Sequence, residues 1–177
     1  MSLLRQSIET YINAKDGNRP HLMADAFDVD AELVMEIKTD EISFPTQLKG
    51  VGDISMVLGS QFARTYENIY TFCIGAPPSD VSTFHCTWLV CMTEKGSGAA
   101  RVGFGRYAWH SSNNAGKISR LQITIEEMKT LPVEVSQLIL GWARKLPYPW
   151  CPQELPVQSA PNVPSVQRIA QVLSQPA

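Results

Sequence analysis

Long apolar runs are missing from this chain. No window approaches the roughly 20 apolar residues that a membrane-spanning helix requires, and the opening MSLLRQSIETYINAKDG holds no apolar stretch of signal-peptide length. A cytoplasmic protein without a membrane partner is therefore expected. An excess of either charge is missing too. With 15 basic against 17 acidic residues the net charge is -2, and no run of Lys or Arg occurs, so no nucleic-acid partner is expected. Cysteine is sparse: Cys73, Cys86, Cys91 and Cys151 form no CxxC pair, and three of them sit in apolar strand patterns where a thiol acts as a small hydrophobe. All four read as reduced core residues. Histidine is sparser, with 3 in the chain and no HxxxH spacing, which excludes a metal centre as the expectation. There is no phosphate loop, because GVGDIS at 50–55 lacks the Lys-Ser/Thr ending, and no GxSxG elbow. No cofactor is expected.

What is present is a meander. VSTFHCTWLVCMTE (81–94), ARVGFGRYAWHSS (100–112) and KISRLQITIEEM (117–128) read as long strands joined by the turns KGSG and NNAG. In the third, Leu121, Ile123 and Ile125 alternate with Arg120, Gln122, Thr124 and Glu126, so one face is buried and the other wet. A chain of 177 residues, 44% hydrophobic, suffices for one core around that sheet.

Upstream, Leu4, Ile8, Tyr11 and Ile12 recur at helical spacing after Ser2, predicting a helix over 3–15 that stops at Asp16-Gly17. A short second helix carries Leu22, Met23, Ala26 and Phe27. Strand character begins at Ala31, a second short strand is expected over 42–44, and Asp53 caps a third helix reaching Phe62. The strand NIYTFCIG follows, closed by Pro77-Pro78. Downstream, Pro132 opens a helix with Val135, Leu138, Ile139 and Trp142 on one side. Eight of the 12 prolines lie from Pro132 onward, so the rest reads as an extended tail with one short helix over 166–173. The expected domains are 1–130 and a C-terminal extension, 131–177, packing on the domain or on a dimer partner. The element order implies an α+β class.

NAKD at 13–16, AFDVDAE at 26–32, Gly50 before the third helix, Phe62 late in it, and NAGKIS at 114–119 together resemble the nuclear-transport-factor-two-like superfamily, especially its SnoaL-like and ketosteroid-isomerase-like branch. The resemblance spans about residues 3–128. It implies a cone-shaped curved antiparallel sheet closed by three N-terminal helices, an apolar pocket in the cone for a small hydrophobic molecule, and a homodimer formed through the sheet. The family holds isomerases, lyases and hydrolases beside non-catalytic binding modules, so the fold alone names no reaction. Carried over by the NAKD, DA and AGK motifs, the steroid-isomerase catalytic positions fall on Ile8, Met35 and Ala108, none of which moves a proton. The scytalone-dehydratase type fares little better, since its helix-one tyrosine and acid fall on Ile12 and Asn13.

Candidate site residues follow from strand parity. A register pairing His85 with Ala108 or His110 puts His85, Thr87, Leu89 and Cys91 on one face with Val102, Phe104, Arg106, Ala108 and His110. The resemblance puts Ala108 on the pocket side, which makes His85 and His110 candidate acid and base and Arg106 and Phe104 candidate binding residues. Tyr11, near the isomerase tyrosine position, Asp30 of the DA motif and the aromatic Trp88 complete the binding set. A plainer assignment stands beside it: His85 as a hydrogen-bonded strand residue, His110 at a wet strand end, Arg106 in a dimer interface and Asp30 as a turn residue. Two functions remain open, an acid-base lyase or isomerase with a hydrophobic pocket, and a non-catalytic assembly module using the sheet and tail.

Overall fold

The computed structural model describes residues 3–112 and 115–176. The expected Ser2 helix start, and Asn113 and Asn114 of the NNAG turn, lie outside the described residues. Helix α1 (Leu3–Asp16) buries the predicted stripe Leu4, Ile8, Tyr11 and Ile12 together with Ser7, Ala14 and one cation, Lys15. A turn of 3-10 helix (Pro20–Leu22) leads into α2 (Met23–Ala26). Strand β1 (Phe27–Ile37) follows at once, earlier than Ala31. The short strand expected over 42–44 does not form. Pro45 has no N–H to give a ladder, Ile42 is buried instead, and β2 forms at Gln47–Lys49. Helices α3 (Val51–Ser55) and α4 (Phe62–Thr65) are joined without a break by a π-helical segment, Met56–Gln61.

Strands β3 (Tyr66–Ile74), β4 (Thr83–Glu94), β5 (Ala100–Ser111) and β6 (Ile118–Leu131) complete the meander. After a 3-10 turn come α5 (Ser136–Ala143), β7 (Trp150–Cys151), α6 (Leu155–Gln158) and α7 (Pro164–Leu173). One curved, open seven-stranded sheet results, ordered β2-β1-β6-β5-β4-β3-β7, with β1 parallel to β6 and β3 parallel to β7. His85 pairs with Ala108, one of the two expected registers.

Two apolar cores lie on the two faces of this sheet. The inner one joins α1 to α4 with Trp88, Val90, Met92, Tyr107 and Trp109, the even-numbered residues of β4 and the odd-numbered ones of β5. The outer one joins Phe72, Leu89, Cys91 and Val102 to Ile139, Trp142, Val166, Ile169 and Leu173. The tail is therefore helical and packed on its own sheet. Proline density misleads here, because Pro164 occupies the first turn of α7, where a missing N–H has no consequence.

The sheet bends at a bulge between Phe104 and Gly105. Gly105 pairs with Trp88, and a Cβ there would lie 1.8 Å from the Thr124 carbonyl oxygen and 2.8 Å from the Trp88 ring. Gly105→Ala is thus expected to lower stability by about 2–3 kcal/mol, the upper range for overpacking. Urea unfolding of the variant measures it, with the Trp88 indole N–H resonance reporting the displacement.

Candidate functional site

Inside the cone the inner core leaves a hollow of about 50 Å³, room for a compact group of a few heavy atoms. Met35, Leu58, Val90, Met92, Ile123 and Ile125 make its apolar wall. Ile42, Phe44 and Phe62 separate it from an outer depression that they also line. Phe44 and Phe62 stack there at 6.1 Å between ring centroids. The loop carrying Phe44 is tied down at Glu41: Arg101 donates to the Glu41 carbonyl while pairing with Glu94, and the Glu41 carboxylate accepts from the Thr130 amide at 3.0 Å.

The polar groups facing the hollow are Tyr11, Lys15, Thr71, Trp88 and Tyr107. Lys15 sits four residues after Tyr11 on the buried stripe of α1. Its Nζ donates to Thr71 Oγ1 at 2.7 Å and to Asp16 Oδ1 at 2.8 Å, and lies 4.9 Å from the Phe62 ring centroid. Asp16 is saturated with donors: besides Lys15 it accepts from the Thr71 amide (2.7 Å), the Thr71 hydroxyl (2.8 Å) and the Tyr148 hydroxyl (2.7 Å). The C-terminal segment thereby reaches the site, with Tyr148 packed edge-on against Tyr70 and Phe72. Burial, then the nearby Asp16 carboxylate, pushes the Tyr11 hydroxyl far above its ordinary range. Burial, then Tyr11, does the same to Tyr107. Both hydroxyls therefore stay protonated and act as hydrogen-bonding groups only. Trp88 Nε1 is buried with no partner, a donor aimed at nothing in the protein. No carboxylate or imidazole is among the lining residues, and no metal-holding cluster occurs among the described residues.

Of the candidates read from the sequence, Tyr11 and Trp88 line this hollow. His85, Arg106, His110 and Phe104 share one face as their parity required, but it is the outer face, and the assignment of the Ala108 side to the cone is corrected. The helices chose the other face because it carries the large apolar set Trp88, Tyr107 and Trp109, whereas the His85 face is polar over half its length. The two imidazoles are close, 6.3 Å between centroids, and His85 borders a shallow trough of about 260 Å³ with Glu36, Thr87, Arg106, Gln122 and Thr124, which His110 does not line. Partial burial, then His85 and Arg120, hold the His110 imidazole below its ordinary range. Arg106 pairs with Glu126 at 2.9 Å. Asp30 is exposed on β1, away from the hollow. Lys15, Thr71 and Tyr148 were not singled out from the sequence. Lys15 alone left a signal there, as a charge falling on an apolar helical stripe.

No protein-family model and no curated protein matches the chain. Solved structures do. A candidate isomerase from Rhodopseudomonas palustris aligns at TM-score 0.57 with 16% identity, over 78% of this chain and 96% of that one. A nuclear transport factor 2 (NTF2-like) superfamily protein from Salmonella enterica serovar Typhimurium aligns at 0.55 with 16% identity, over 70% and 88%. An LEH-like epoxide hydrolase from M. tuberculosis aligns at 0.52 with 9% identity, over 70% and 82%.

Proposed function

The chain has the nuclear-transport-factor-two-like fold, and on that premise we propose that it is a small-molecule binding protein whose site is the cone hollow and not the outer histidine face. The observation that carries this is an apolar hollow of about 50 Å³ inside the core with the buried Lys15 side chain on its wall. Lys15 Nζ spends two of its three protons on Asp16 and Thr71, which leaves one donor for a ligand acceptor in a charge-assisted hydrogen bond. Apolar burial supplies the remaining affinity. That solved structures of this fold include a candidate isomerase and an epoxide hydrolase supports an enzymatic use of the same hollow. Any proton transfer in it would run through Lys15 and Asp16.

Titration with 2-butanone, followed on the indole N–H resonances, tests the reading. The Trp88 signal is expected to move saturably while that of Trp142, in the outer core, stays still. Val90→Phe, which fills the hollow, is expected to weaken the response at least tenfold, and the double change His85→Ala/His110→Ala to leave it unaltered. A response lost in the histidine variant and kept in Val90→Phe would move the site to the outer face.

A homodimer through the uncovered part of the outer face belongs to the same proposal. Lys38 and Arg106 there stand beside Glu36 and Glu126, so two copies can oppose unlike charges across a twofold axis. Light scattering of the native chain and of Arg106→Glu distinguishes dimer from monomer.

A further inference from the structure

We infer that Lys15 is a carbonyl-capturing nucleophile, whose ε-amine forms an imine with a short-chain aldehyde entering the cone hollow; this rests on the hollow being the ligand site. Lys15 is the one buried lysine among the described residues, 5% exposed, whereas Lys38, Lys49, Lys95 and Lys145 stand in solvent. Amines become useful nucleophiles when an apolar pocket holds them away from water next to a group that takes their proton. Both conditions are met here. Phe62 lies against the ammonium, and Asp16 Oδ1 is 2.8 Å from Nζ, with the Thr71 hydroxyl bridging the same two groups as a relay. Tyr11 and Tyr107 line the same space and bring hydroxyl donors for a carbonyl oxygen.

The chemistry balances within the site. The Lys15 ammonium gives a proton to Asp16, the freed nitrogen lone pair bonds to the carbonyl carbon, and the C=O π pair moves to oxygen. A proton shifts from that nitrogen to the oxygen, giving the neutral carbinolamine. Asp16 then returns its proton through the Thr71 hydroxyl, which lines the hollow, to the carbinolamine hydroxyl; the C–O bond breaks, water leaves and the N=C bond forms. Of the three ammonium protons, one stays on the iminium nitrogen and two depart in the water. Asp16 is again a carboxylate and is the counter-ion of the iminium. No oxidant, reductant or further reactant is needed. Tyr148 is a positioning residue in this scheme: it touches no ligand, and its hydroxyl holds Asp16 Oδ2 at 2.7 Å so that Oδ1 faces Lys15.

The hollow's size selects propanal as the probe. The full chain is incubated with propanal and sodium cyanoborohydride, which reduces the imine to a stable secondary amine, and the adducts are located by peptide mapping. Saturable modification of Lys15, at least tenfold faster than at any exposed lysine, is the expected result. Tyr148→Phe keeps the ring packing and is expected to slow Lys15 trapping several-fold with Tm little changed, an effect that packing alone does not produce. Modification spread over the exposed lysines with Lys15 untouched overturns the inference, and because this is read on the native chain it does not depend on a variant folding. If the Trp88 resonance still shifts saturably with propanal in that case, the hollow stands as a binding site and only the imine is wrong. If neither occurs, both readings fall.

Discussion

Asp16→Ala is expected to destabilise the chain by about 3–5 kcal/mol, the loss found when one partner of a buried ion pair is removed. The Lys15 and Asp16 side chains are 7% and 4% exposed, so the ammonium cannot recover its hydration once the carboxylate is gone. Thr71 would lose two acceptors and Tyr148 one in the same substitution. The double change Lys15→Met/Asp16→Ala removes the stranded charge along with its partner, and is expected to be more stable than Asp16→Ala alone. Urea denaturation of the two variants and the parent measures both. A double variant as unstable as the single one would mean that the loss arises from the freed Thr71 and Tyr148 groups and not from the lysine.

Trp142→Ala is expected to cost a similar amount, about 3–5 kcal/mol, by opening a cavity in the outer core. Trp142 is 4% exposed and lies with Ile139, Ile169 and Leu173 over Leu89 and Val102. Its Nε1 has no hydrogen-bond partner, so Trp142→Phe forfeits no bond and is expected to cost clearly less than Trp142→Ala, because the phenyl ring fills part of the space that the alanine leaves empty. Thermal unfolding separates the two. Equal losses would show that the indole is bonded in solution. A large loss in Trp142→Ala would also establish that the C-terminal extension is part of one cooperative unit with the sheet, although its proline content resembles a loose tail.

The helices, the meander and the residues sharing each face of the hairpin were legible because each is written in local periodicity: α1 in its Leu4, Ile8, Tyr11, Ile12 spacing, β6 in its strict alternation; which of two registers pairs β4 with β5 was not. The short strand expected over 42–44 failed because Ile42 and Phe44 serve the cone edge instead of a ladder. Strand β7 was illegible, since Trp150-Cys151 becomes a strand only by pairing with Cys73 and Ile74 far upstream.

The amino-acid order by itself determined that His85, Arg106 and His110 share one side of the sheet and Trp88, Tyr107 and Trp109 the other, because parity along a strand is a property of the backbone. Which of those sides became the inside was settled only when the helices packed. Both faces carry apolar residues, and the choice depends on where α1 and the C-terminal helices find the larger area to bury. The same holds for Lys15. Its place on the stripe is sequence, but Thr71 lies 56 positions from it and Tyr148 lies 132 from Asp16, and only folding brings their hydroxyls to one carboxylate.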